Sequence, residues 1–189
     1  MEKILFVNAC VRPESRTHML ASHVLSRLSG EVEELCLEKE HLKPLNKERL
    51  RERNALLETG DVSAPMFRYA RQFAMADTIV IAAPYWDLQF PALLKLYFEA
   101  VTVTGVTFQY TPEGYPESLC KARRLIYVMT AGGPVMDFNF GYDYVKALAE
   151  NFYGIHDILC VKAENLDIVG ADVQGILASA MEEIDKRIK

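Results

Sequence analysis

No GxGxxG turn and no GxxxxGK[ST] loop occurs anywhere in the 189 residues. Both motifs use glycine so that backbone can approach a diphosphate or triphosphate closely. Their absence argues against a dinucleotide fingerprint and against a Walker-type NTPase. There is no HExxH, and no cluster of histidines with carboxylates, so no metal site is expected. Cysteine is sparse: Cys10, Cys36, Cys120 and Cys160 form no CxxC pair and no zinc-like spacing. They read as free thiols in a reducing compartment. Cys36 and Cys160, in apolar strand-like runs, read as small buried hydrophobes. The chain has no excess of basic charge. Its net charge of -5 disfavours non-specific binding to nucleic acid. No apolar run approaches the roughly 18 residues that span a bilayer. The N-terminal MEKILFVNAC has neither the longer apolar region nor the small-residue cleavage site of a signal peptide. A cytoplasmic protein with no membrane insertion is expected.

What remains has an ordinary globular balance, 50% hydrophobic and 25% charged. The length suits one domain over residues 1–189. Five strand-like runs stand out: Lys3–Val7, Val32–Leu37, Asp77–Ala83, Arg124–Met129 and Ile158–Val161. The first is nearly all apolar, as in a central parallel strand. The second carries Glu33 and Glu34, which suggests an edge. Helical patterns lie between them, from near Thr17 to Gly30, around Lys47–Leu57, and over Met66–Met75, Pro91–Thr104, Tyr142–Phe152 and Val173–Ile188. Residues Gly105–Lys121 read as a turn-rich insertion. Strands alternating with helices imply an α/β fold, a parallel sheet with helices on both faces. Such sheets bind ligands at the carboxyl ends of their strands, where the strand order reverses.

Three loops leave those ends with unusual residues. The first, NACVRPESRT, has no glycine but offers Arg12, Ser15, Arg16 and Thr17 just ahead of a helix. Hydroxyls, guanidiniums and free backbone N–H groups at a helix N-terminus suit an anion such as a phosphate. An ordinary capped helix with solvated arginines would look the same. A loop rich in side chains fits a terminal monophosphate better than a diphosphate. Among common redox cofactors that favours FMN over FAD or tightly held NAD. The second loop runs from Pro84 through Tyr85, Trp86, Asp87 and Leu88 to Pro91, and holds the only tryptophan. Stiffened by its prolines, it could wall a flat ring or simply cover the core. The third, from Thr130 through Ala131, Gly132 and Gly133 to Asn139, permits close backbone approach at its glycine pair, or marks only a turn. Phe138 and Phe140 add apolar surface there.

These residues, with KILFVNACVRPESRT at the start, APYWDLQFPALLKLYFEAV in the middle, GVTFQYTPEGYPE after it and TAGG near residue 130, carry a resemblance over nearly the whole chain. The sequence resembles the flavodoxin-like NAD(P)H:quinone oxidoreductases, most closely the FMN-dependent NADH azoreductases. The resemblance implies a doubly wound five-stranded sheet of order 2-1-3-4-5, tightly bound FMN, and a homodimer with its active site near the subunit interface. It implies that Ser15, Arg16 and Thr17 hold the phosphate, and that Pro84–Leu88 lines the ring with the backbone of Trp86 and Asp87 at its polar edge. Thr130, Ala131, Gly132 and Gly133 would approach from the other side. The activity implied is two-step hydride transfer, from NADH or NADPH to a small acceptor such as a quinone or azo compound. Phe108, Tyr110, Trp86 and Phe138 are candidates to shape the acceptor pocket. No side chain is required as nucleophile or obligate general acid, so no catalytic residue is assigned.

Two positions depart from the family pattern. Cys10 stands where serine is frequent, and can still offer its backbone or a weak S–H donor to the cofactor. Asp87 stands where asparagine is frequent, and its charge near a flavin would lower the potential. The helix Pro91–Thr104 is apolar nearly all round, which suits a subunit interface or cover by the 105–121 insertion. Two rival functions share this fold, a flavodoxin-type electron carrier and a flavin-free binding module.

Overall fold

The computed structural model describes residues 1–188. In chain order the elements are β1 (Lys3–Asn8), α1 (Arg16–Arg27), β2 (Glu31–Cys36), α2 (Lys47–Glu58), a 3-10 turn (Pro65–Phe67), α3 (Arg68–Met75), β3 (Thr78–Ala82), α4 (Ala92–Val101), β4 (Phe108–Tyr110), β5 (Pro116–Ser118), β6 (Arg124–Thr130), α5 (Phe140–Asn151), β7 (Asp157–Ala163) and α6 (Val173–Arg187).

Every residue of β1 after Lys3 is buried, and all of β3 is buried. Such strands can only sit in the middle of a sheet covered on both faces. The five-stranded sheet is parallel throughout, in the order β2-β1-β3-β6-β7. β2, with its exposed glutamates, is an edge strand. Side chains alternate between two cores, as the pleat requires. Leu5 and Val7 point to one, with Phe73 of α3, Leu94, Tyr97 and Phe98 of α4, and Val145 of α5. Ile4 and Phe6 point to the other, with Leu20 and Val24 of α1 and Leu177 and Ile184 of α6.

The expected strand numbering, 2-1-3-4-5, is corrected to 2-1-3-6-7. Part of the 105–121 segment is a separate antiparallel ribbon, β4 paired with β5, and not turns alone. Buried Thr107 anchors it. Its hydroxyl donates to the Val101 carbonyl (2.8 Å) and accepts from the Val103 N–H (3.1 Å). Helix α4 is accordingly shorter than its apolar pattern, ending at Val101, because the chain turns there to start the ribbon. The cysteines are free thiols; Cys10 is buried, while Cys36, Cys120 and Cys160 are only half-buried. Burial still pushes the Cys120 and Cys160 thiols up to about 12, so neither is a thiolate at neutral pH.

The Tyr97 hydroxyl is buried with no hydrogen-bond partner among the described residues. Desolvation keeps it neutral. A buried orphan hydroxyl costs about 1–3 kcal/mol, so Tyr97→Phe is expected to be neutral or stabilising by about 1 kcal/mol. Urea denaturation measures this; destabilisation by more than about 1 kcal/mol would reveal a partner for the hydroxyl.

Candidate functional site

Because all five strands run the same way, the loops after β1, β3, β6 and β7 leave from one end of the sheet. The chain moves from β1 outward to β2, then returns to β3 on the other side of β1. The order therefore reverses at this point, and a crevice opens there. It is a cavity of about 190 Å³.

Its first wall is the start of α1. Ser15 caps this helix, its hydroxyl accepting from the His18 N–H at 3.2 Å. The N–H groups of the first helical residues, Arg16 and Thr17, have no intrahelical acceptor and carry the positive end of the helix dipole. Thr17, only 1% exposed, lines the cavity with its hydroxyl 2.6 Å from that of Thr130. Two hydroxyls carry two protons, and only one is used between them. The other is available to an acceptor in the cavity.

The second wall is the β3–α4 loop. Trp86 and Gln89 exchange both backbone hydrogen bonds, at 3.0 and 2.8 Å. This two-residue hairpin puts Asp87 at φ 50° and Leu88 at φ 67°, left-handed values that a primed turn demands and that leucine disfavours. The loop is pinned to the third wall twice. The Tyr85 N–H donates to the Thr130 carbonyl (3.0 Å), and the Tyr85 hydroxyl donates to the Phe138 carbonyl (2.8 Å).

The third wall, Thr130–Gly132, is zipped to a fourth loop after β7. The N–H of Leu166 donates to the Ala131 carbonyl (3.2 Å) and that of Asp167 to the Gly132 carbonyl (2.9 Å). The Val135 N–H donates to the Glu164 carboxylate at 3.0 Å. Burial works to raise the pKa of that carboxylate, but Lys162 at 2.5 Å and the Val135 N–H outweigh it and hold it below the ordinary value.

Arg12, Ser15, Arg16, Thr17, Pro84, Tyr85, Trp86, Thr130, Ala131 and Gly132 line the cavity. Four other candidates do not. Cys10 lies beneath the floor, its N–H donating to the Asn8 side-chain oxygen (3.0 Å). Burial pushes its thiol up to about 11, against the lowering effect of a contact with Ser15. Asp87 and Leu88 sit at the tip of the hairpin, outside the lining, and Gly133 lies beyond it. The acceptor candidates also divide. Phe138 is half-exposed on the third loop. Phe108 and Tyr110 lie on the ribbon: Phe108 is buried against Phe152 with ring centroids 4.8 Å apart, and Tyr110 faces solvent.

Leu166 and Asp167 also line the cavity, together with Val11 and Glu14. The sequence reading missed the fourth loop, although it too follows the carboxyl end of a parallel strand. The two glycines differ in their surroundings. A Cβ on Gly132 would lie 2.3 Å from the Asp167 carboxylate, whereas one on Gly133 would meet nothing within 4 Å. Gly132 makes room for a side chain of the same protein.

A family model described as "Flavodoxin-like fold" matches residues 2–188. The FMN-dependent NADH:quinone oxidoreductase of Coprothermobacter proteolyticus is 35% identical, over all of this chain and 99% of its own length. That of Lachnoclostridium phytofermentans is 36% identical, over 97% of this chain and 96% of its own. The chain belongs to the flavodoxin-like FMN-dependent NADH:quinone oxidoreductase family. Among solved structures, an azoreductase from Bacillus anthracis superposes with a TM-score of 0.86 at 26% identity, covering 98% of each chain. The crevice fits the family's cofactor chemically. The α1 N-terminus and the Thr17–Thr130 hydroxyl pair suit a phosphate, and Tyr85 and Trp86 offer apolar surface to a flat ring.

Proposed function

We propose that this protein is an FMN-dependent oxidoreductase that takes hydride from NADH and reduces quinones, azo compounds or similar small acceptors. The observation that carries the reading is the hydroxyl pair of buried Thr17 and half-buried Thr130 beside the free N–H groups of the α1 N-terminus, facing an aromatic wall across one crevice. The names of its relatives supply the chemistry. Ser15 and Thr17, with the charge of Arg12, hold the phosphate. Pro84, Tyr85 and Trp86 wall one side of the ring, and Thr130, Ala131 and Gly132 approach the other. Bound FMN would supply the two-electron step, accepting hydride and returning it to the acceptor. Cys10 supports the floor as a neutral thiol and takes no part in the chemistry.

Residues 1–189 act as one doubly wound FMN-binding unit in the cytoplasm, working as a homodimer. Leu93 and Leu96 on α4 are only half-buried, and Trp86, Leu88, Met136 and Phe138 are exposed around the crevice mouth, apolar surface suited to a second subunit or an acceptor. Freshly purified protein should show a flavin spectrum that NADH bleaches, turn over NADH with menadione at steady state, and sediment as a dimer. Flavin that NADH leaves coloured would point to an electron carrier. Colourless protein that takes up no FMN would end the flavoprotein reading, and a monomer would end the dimer.

A further inference from the structure

The two arginines of the first loop stand in different electrical situations. Arg16 reaches out of the first turn of α1 to the fourth loop. Its guanidinium donates to the Leu166 carbonyl at 2.8 Å and to the Asp167 carboxylate at 2.6 Å. Arg12 lines the same cavity and has no ion pair among the described residues. The Asp167 carboxylate sits in the niche over Gly132, held there by the Asp167 N–H bond to the Gly132 carbonyl (2.9 Å). The anion end of the crevice therefore contains a resident anion of its own, fixed in place by Arg16, besides the carboxylate of Glu14, which also lines the cavity.

We propose that Asp167 is a counter-charge that sets how strongly the crevice prefers FMN over uncharged riboflavin. The inference rests on the flavin reading of the site. The phosphate of FMN is close to a dianion at neutral pH. Arg16 and Asp167 together present no net charge to it, and the carboxylate repels it. Arg16 is thus a strut that fastens α1 to the β7–α6 loop, while Arg12 and the α1 N-terminus supply the attraction. Riboflavin has the same ring and no phosphate, so it does not sense this balance.

The size of the effect follows from exposure. The Asp167 side chain is 61% exposed, so water screens it. Like charges sharing so open a setting repel modestly, and salt weakens the repulsion further. Asp167→Asn keeps an oxygen to accept from Arg16 and removes only the charge. It is expected to tighten FMN binding by about three- to tenfold. Riboflavin binding should stay within about twofold.

The test is a titration of flavin-stripped protein with FMN and with riboflavin, followed by flavin fluorescence, in low salt and again in high salt. Support is a selective gain for FMN in Asp167→Asn that shrinks in high salt. Equal shifts for both flavins would make Asp167 a purely structural tether and overturn the proposal. Unchanged or weaker FMN binding by the variant would overturn it as well. Wild-type protein that takes up neither flavin would sink the flavoprotein reading and this proposal with it. FMN uptake by both proteins with equal affinity would sink this proposal alone.

Discussion

Thr17→Val should weaken FMN binding by about ten- to a hundredfold while leaving riboflavin binding nearly unchanged. The shape of the side chain is kept, and one hydroxyl is lost. That hydroxyl is buried, lies 2.6 Å from the Thr130 hydroxyl, and stands on the first turn of α1 where the backbone N–H groups are uncovered. A hydrogen bond to a charged group contributes about 1.5–3 kcal/mol, and each 1.4 kcal/mol is tenfold in affinity. Titration by fluorescence reads the loss. A change of less than threefold would move the phosphate away from this helix. The same variant should unfold within about 1 kcal/mol of wild type, because the Thr130 hydroxyl still opens on the cavity.

The second large effect is on stability, far from the crevice. Gly154 ends the turn after α5 at φ 64°, which lets the Ile155 N–H reach the Ala149 carbonyl at 2.9 Å. An alanine there carries two penalties. The left-handed backbone costs it about 1–2 kcal/mol. Its Cβ would also lie 2.8 Å from the Ser118 Cβ. Ser118 cannot move aside cheaply, since its hydroxyl donates to the Tyr153 carbonyl (2.6 Å) and accepts from the Cys120 N–H (3.0 Å). The stiffer unfolded chain returns part of the loss. Gly154→Ala should therefore destabilise by about 2 kcal/mol, a fall in Tm of roughly 4–8 °C for a chain of this size. Alanine at Gly60, with φ 72° and open space around it, carries only the backbone penalty and serves as the control. Equal losses at the two sites would show that the contact with Ser118 contributes nothing.

Much of the site was legible because of where polar and aromatic residues fall along the chain. A strand such as KILFV can be buried only in the middle of a sheet, and in a parallel sheet the loop after it must open at the ligand-binding end. That argument brought Arg12, Ser15, Arg16 and Thr17 to the carboxyl end of β1, where all four line the crevice. It did not find Asp167, because a carboxylate in a polar loop has no local signature. Nor could it find the reason for Gly132, which is a contact with a residue 35 positions later in the sequence. Helix α4 was read too long for a related reason: apolar residues continue past Val101, but there Val103 packs against Phe67 of the 3-10 turn and Ala70 of α3 rather than continuing the helix along the sheet.

The sequence by itself determined the class of fold, the loops that meet and the kind of group they suit, since burial pattern and helix capping depend on neighbours a few residues apart. The tertiary structure alone decided which charges remain free. Arg12 and Arg16 are indistinguishable as letters, four positions apart in one loop. One lines the crevice with no ion pair among the described residues and the other is fastened to Asp167, because charge is summed through space and the partner comes from the far end of the chain.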